Sequence, residues 1–261
     1  MTMRSSRKKT NEYFSGKNVP FESTTVRVDD RDVHYVKTGE DAKQTLVFIH
    51  GSPGSWSAWE NYMADSLLLQ HFRLIAFDRP GFGFSDFRSS LALAPQAAML
   101  NTILKEMDNG QPVTLIGHSY GGPLIVKMAL DQPDLYDNLM ILAGALDPNA
   151  EKPEKWRKPL TWFPLKYLVP GALRPSNDEL WMLKEDLFTM QPELKSLKQD
   201  ILIIHGTIDK LVPYENVAFM KKEFVNVNSL EVITLENEKH FIVWDREKLI
   251  KDTLLNWLGN N

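Results

Sequence analysis

The chain has no cysteine. That absence excludes disulfides, thiolate metal sites and a cysteine nucleophile together, while leaving the compartment open. It also lacks any run of about 18 apolar residues, the length a membrane-spanning helix needs. The basic stretch at residues 1–10 is followed by no apolar segment, so it does not read as a signal peptide. A flexible, solvated basic arm over residues 1–20 is the expectation, with a juxtamembrane stub as the sharper alternative. The cytoplasm is then the default compartment, or the periplasm or a membrane surface if an anchor precedes the arm. An excess of positive charge is missing too. Thirty Lys and Arg face 34 Asp and Glu, for a net charge of −4 and a pI of about 5.9. No global basic field therefore recruits nucleic acid or anionic lipid. Repeats and low-complexity tracts are absent.

What is present is an ordinary globular composition, 43% hydrophobic and 25% charged, over 261 residues. That length buries one large core, or a core plus a small insertion. The most informative stretch is Gly117-His118-Ser119-Tyr120-Gly121. An apolar run over 112–116 precedes it and reads as a buried strand. The glycines and proline at 121–123 suit the first turn of a buried helix. Strand, sharp turn and helix form the context in which G-x-S-x-G carries chemistry. The serine sits in a strained conformation that lifts its hydroxyl above the sheet, and only small neighbours fit the turn.

Around this stretch the chain alternates. Residues 24–38 read as an antiparallel hairpin at a sheet edge, with His34 a half-exposed strand residue. Buried strands are expected over 45–49, 72–77, 112–116, 139–144 and 200–206, and another strand over 229–235. Helices are expected over 56–69, 95–107, 122–130, 214–224 and 246–258. Such alternation predicts an α/β fold: a doubly wound, mostly parallel sheet whose chemistry lies at the carboxyl ends of its strands. Residues 148–197 break the pattern with seven prolines and many aromatics. Proline at that density argues against long helices, so several short ones are expected there. Placed between two sheet strands, the insertion reads as a helical cap, and the core is expected over 21–147 and 198–261. Trp156, Trp162, Phe163 and Trp181 are the expected aromatic lining of an apolar pocket beneath the cap.

A serine hydroxyl needs a positioned base, and the base an orienting acid. Among six histidines, His240 lies in a polar loop directly after a buried strand, where a base must stand. His50, His118 and His205 each end an apolar strand beside glycine, and backbone roles explain them better. Asp209, in the loop after the preceding strand, is the favoured acid over Asp147 because its strand should neighbour the one leading to His240. The chain order Ser119, Asp209, His240 matches the order associated with this elbow. Oxyanion donors are expected from the backbone N–H of Tyr120, at a helix start, and of Ser52, since Pro53 has none.

With these residues in hand the chain, from about 26 to 258, resembles the α/β-hydrolase fold family. The resemblance rests on the loop His50-Gly51-Ser52-Pro53-Gly54 and the turn Asp78-Arg79-Pro80-Gly81-Phe82-Gly83-Phe84-Ser85. The Gly117–Gly121 elbow, the Asp209 loop and His240 complete it. Within the family it looks like the small capped serine hydrolases: esterases, C–C bond hydrolases and cofactor-free perhydrolases. Epoxide hydrolases and haloalkane dehalogenases share two of these motifs but use an aspartate nucleophile where this chain has Ser119. A serine cannot form the alkyl-ester intermediate that water cleaves at a carbonyl. Proline iminopeptidases carry glycine at the position of Ser52, which makes peptidase activity a poorer fit. The resemblance implies no metal and no organic cofactor, and no metal-ligand spacing is visible. The expected partner is a small-molecule ester, with the oligomeric state open. A C–C hydrolase on the same residues is the alternative, and a slow-turnover ligand-binding receptor is the rival from another class.

Overall fold

A computed structural model describes residues 6–87, 90–152 and 154–259. Residues 1–5 of the basic arm and Pro153 lie outside the described residues. Eight strands form one sheet: β1 (Phe21–Val28), β2 (Arg31–Thr38), β3 (Gln44–Ile49), β4 (Phe72–Asp78), β5 (Val113–His118), β6 (Asn138–Leu142), β7 (Asp200–Gly206) and β8 (Ser229–Leu235). Their spatial order is β1-β2-β4-β3-β5-β6-β7-β8, with β1–β2 and β2–β4 antiparallel and every other pair parallel. The five strands from β3 to β7 are apolar almost without interruption because both faces of the sheet are covered.

Nine α-helices are described: α1 (Arg7–Gly16), α2 (Glu60–Met63), α3 (Ser66–His71), α4 (Leu93–Glu106), α5 (Gly121–Asp131), α6 (Leu173–Met190), α7 (Glu215–Glu223), α8 (Ile242–Asp245) and α9 (Glu247–Leu258). On one face α4, α5, α6 and α7 bury Leu100, Leu124, Leu187 and Met220 against Val47, Leu115 and Ile203. On the other, α1, the segment around α2 and α3, and α8–α9 bury Phe14, Tyr62, Leu68 and Leu254 against Phe48, Ile116 and Ile204. Burial on this scale, at about 25 cal/mol per Å² of apolar surface, supplies the main favourable term in folding. The parallel register pairs Ile49 with Gly117, and His118 with Leu142. The loops that follow β3, β5 and β6 therefore emerge side by side.

Four expectations differ from the structure. The arm at 1–20 is not solvated throughout. Ser6 caps α1 by accepting from the Lys9 N–H at 3.3 Å, and Phe14 is buried, stacked on Phe21 and Trp56 with centroids 4.5 and 6.0 Å away. Two adjacent aromatics, Tyr13 and Phe14, in an otherwise polar helix are too sparse a signal to read as periodicity. The helix expected over 56–69 is broken at Asp65, whose carboxylate accepts the N–H groups of Leu67 and Leu68 and starts α3 afresh. His34 is buried rather than half-exposed, because β2 is paired on both sides. Its Nδ1 lies 2.8 Å from Asp78 and its Nε2 2.9 Å from the Ser23 hydroxyl. Finally, 148–197 holds one long helix, the 18-residue α6, besides short 3-10 turns. Pro175 falls in its first turn, where a missing N–H costs nothing.

Candidate active site

The glycines flanking Ser119 set its place. A Cβ on Gly117 would strike the Gly121 carbonyl, and one on Gly121 would strike the Ile49 carbonyl, so the turn packs directly on β3. Ser119 itself has φ +55°, a left-handed conformation that costs a non-glycine residue roughly 1–3 kcal/mol. Three backbone bonds hold it there, the longest from the Ala145 N–H to the Ser119 carbonyl at 3.4 Å. The Ser119 N–H donates to the Leu142 carbonyl at 3.0 Å, and its own carbonyl accepts from Gly122 at 2.9 Å.

The loop after β3 lies against this serine. A Cβ on Gly51 would come to 3.0 Å from the Ser119 Cβ. Arg79, the residue just after β4, fixes the loop from below. Its Nε donates to the His50 carbonyl at 3.1 Å and its Nη2 to the Gly51 carbonyl at 3.0 Å. The His50 ring adds two contacts, its Nδ1 2.7 Å from the Gly51 carbonyl and its Nε2 accepting from the Arg79 N–H at 3.1 Å. Burial, with Arg79 beside it, pushes His50 well below its ordinary range, so the ring stays neutral in this pattern. The Arg79 guanidinium closes on Glu179 of α6 through two bonds of 2.7 and 2.8 Å, both side chains fully buried. It also donates to Gln96 at 2.9 Å and lies between the rings of Phe82 and Tyr120. The Ser52 hydroxyl bonds Ser176 of α6 at 2.8 Å. That hydroxyl is therefore engaged with α6.

On the other side, His240 Nδ1 stands 2.7 Å from Asp209 Oδ2. The second carboxylate oxygen accepts from Leu211 and Val212 N–H groups at 2.8 and 2.9 Å. Burial alone would raise the Asp209 carboxyl; the imidazole and the two N–H groups outweigh it and hold Asp209 below the usual carboxylate range. The two loops that carry this pair are joined by Ile208 N–H donating to the Glu238 carbonyl at 3.1 Å. Asp147, the rival acid, is occupied as a turn former, accepting from the Asn149 N–H at 2.8 Å. His118 lies between the two halves. Its Nε2 is 3.1 Å from the His240 carbonyl oxygen and its ring centroid 4.8 Å from that of His240. Burial, followed by the neighbouring His240, lowers it to about 3. His205 likewise serves the backbone, with Nε2 2.9 Å from the Val212 carbonyl.

Ser119, His240, Ser52 and Tyr120 all face one cavity of about 920 Å³. Its wall differs from the apolar one expected. The 148–197 insertion contributes Leu180 and Leu183, but also Glu151, Lys152, Glu154 and Arg157, and the loop that carries Asp209 adds Lys210. Trp156, Trp162, Phe163 and Trp181 are not part of that wall. The first three are 55%, 58% and 79% exposed, Trp156 within a 3-10 turn and Trp162 and Phe163 in the bend that follows it. Arg79 and Glu179 were the residues sequence reasoning missed. Arg79 stood inside a quoted turn, whereas Glu179 is one carboxylate on a polar helix and gave no signal.

A model of the α/β-hydrolase fold matches residues 44–168, and one of the prolyl oligopeptidase family matches 107–261. An uncharacterized hydrolase of Bacillus subtilis, YugF, is 24% identical over 88% of this chain and 96% of its own length. The 2-hydroxy-6-oxononadienedioate/2-hydroxy-6-oxononatrienedioate hydrolase of Paraburkholderia phymatum is 34% identical over 43% of this chain and 40% of its own. Here the chain spans less than half the length of the relative it matches. The crystal structure of epoxide hydrolase VrEH1 from Vigna radiata superposes with a TM-score of 0.72 at 15% identity, covering 92% of this chain and 98% of that one. The likeness to the solved structure is one of fold, and this chain's fold is an eight-stranded, mostly parallel sheet. The chain belongs to the α/β-hydrolase fold family.

Proposed function

We propose that the protein is a serine hydrolase of carboxylic esters. Ser119 Oγ attacks the ester carbonyl and passes its proton to His240 Nε2. Asp209 holds the imidazole through Nδ1 and stabilises the imidazolium that forms. The N–H groups of Ser52 and Tyr120 receive the oxyanion. The same imidazole then protonates the leaving alcohol, and water releases the acyl group from Ser119. The observation that carries this reading is the Asp209–His240 contact of 2.7 Å opening on the same cavity as a serine at φ +55°. With Nδ1 committed to the carboxylate, Nε2 is the nitrogen left for a hydroxyl. Ser119→Ala should cut turnover of p-nitrophenyl acetate by roughly 10⁴-fold or more. Near-normal hydrolysis by that variant sinks the proposal.

A second reading, C–C hydrolysis of an acidic diketone-like substrate on the same residues, is favoured by one specific observation. Although Arg157 is paired with Glu154, Lys152 and Lys210 also stand on the cavity wall, and a cation there suits a carboxylate-bearing substrate better than a neutral ester. Rates measured side by side on p-nitrophenyl esters and on a 2-hydroxy-6-oxodienoate separate the two.

A further inference from the structure

Seven of the sixteen exposed large apolar side chains among the described residues fall within the twenty residues 155–174. They are Trp156, Trp162, Phe163, Leu165, Tyr167, Leu168 and Leu173. Apolar residues scattered singly over a surface call for no explanation, but a concentration of this kind marks an interaction site. The same twenty residues include Lys155, Arg157, Lys158, Lys166 and Arg174 and not one carboxylate. Those five bases leave 25 of the chain's 30 to face all 34 of its acids. A protein of negative net charge thus has one strongly positive face. Of the flanking acids, Glu154 pairs with Arg157 at 2.6 Å and Glu179 is buried on Arg79, which leaves Lys155, Lys158, Lys166 and Arg174 as the cations of this stretch without a salt bridge among the described residues.

Cations and rings are interleaved rather than separate. Arg157 lies 4.7 Å over Trp156, and Arg174 and Lys166 lie 5.0 and 5.5 Å from the Tyr167 ring. Trp and Tyr favour the headgroup level of a bilayer, and basic residues beside them pair with lipid phosphates. We propose that this face of the cap docks on an anionic lipid bilayer. A second copy of the chain fits it less well, because five cations would meet five cations. Docking also has a consequence for the cavity. Arg157 belongs to both the patch and the cavity wall, and the wall continues in Leu211, Phe241 and Trp244, each about half exposed or more. Their continuity brings the cavity mouth to the lipid surface. The inference concerns where the cavity is presented and goes beyond the ester chemistry.

The test uses the full chain carrying Ser119→Ala, so that binding is read without turnover. It is sedimented with vesicles of equimolar phosphatidylglycerol and phosphatidylcholine, and with phosphatidylcholine alone. Binding should be strong to the mixed vesicles and weak to the neutral ones, and should fall with added salt. Lys155→Ala with Lys158→Ala should lower partitioning by about 30-fold, from roughly fivefold per cation near such a surface. Leu168→Asp should lower it further, while each variant retains normal hydrolysis of a soluble ester in the Ser119 background. No binding to mixed vesicles, or equal binding by the variants, overturns the proposal. So does a patch-dependent dimer or complex with an acidic protein in place of vesicle binding.

Discussion

Asp209 divides its two oxygens between two tasks. One is held by the N–H groups of Leu211 and Val212, and the other faces His240 at 2.7 Å. In Asp209→Asn the side-chain carbonyl stays on those N–H groups, which turns the amide NH₂ toward Nδ1. A donor there forces the proton onto Nε2, the nitrogen that in the proposed mechanism accepts from Ser119. The expected outcome is a fall of roughly 10³–10⁴ in kcat for p-nitrophenyl acetate with little change in KM. Steady-state kinetics at pH 7 check it, and a loss confined to KM would point to a binding role instead. Ser119 shows the same economy at the backbone, since its strained φ is held by Leu142, Gly122 and Ala145 and by nothing flexible.

At the scale of elements, the pair Arg79–Glu179 joins the turn after β4, the loop after β3 and helix α6. Glu179→Ala leaves a fully buried guanidinium without its counter-charge, which costs about 3–5 kcal/mol. Urea unfolding should show that loss, and kcat for soluble esters should fall with it as the His50–Gly51 loop loosens. An unchanged midpoint would mean that the guanidinium has found water or another acceptor. Much of the element plan was legible beforehand. The parallel strands announced themselves as short apolar runs, and G-x-S-x-G, Asp209 and His240 each stood at a strand end. What escaped reading has physical causes. Helix α6 was masked by prolines that happen to lie in its first turn and beyond its end. The outward aim of Trp156, Trp162 and Phe163 depends on turn geometry that composition does not encode. Glu179 acquires its role only from a partner 100 residues away along the chain.

Over the whole molecule, three histidines at strand ends, His50, His118 and His205, are buried and kept neutral, chiefly by desolvation. For His118 the folded value of about 3 lies below its ordinary 6.5. The unfolded chain therefore takes up the proton first, so stability is full above pH 6.5 and drains away as pH falls toward 3. His118 alone should cost about 2 kcal/mol between pH 7 and pH 5. Denaturation midpoints at the two values check this, and His118→Gln should flatten the decline.

Helix α6 begins in the roof, where Ser176 and Glu179 grip the loops beneath, and ends in the core, where Leu183, Leu187 and Met190 are buried. A beam built into the wall at one end and bolted at the other does not swing. Ahead of it in the chain, Glu151 and Arg157 line the same cavity as Leu211 and Phe241. Under the proposed chemistry, substitutions at Glu151 and Arg157 should change selectivity, whereas substitutions in the beam should change stability.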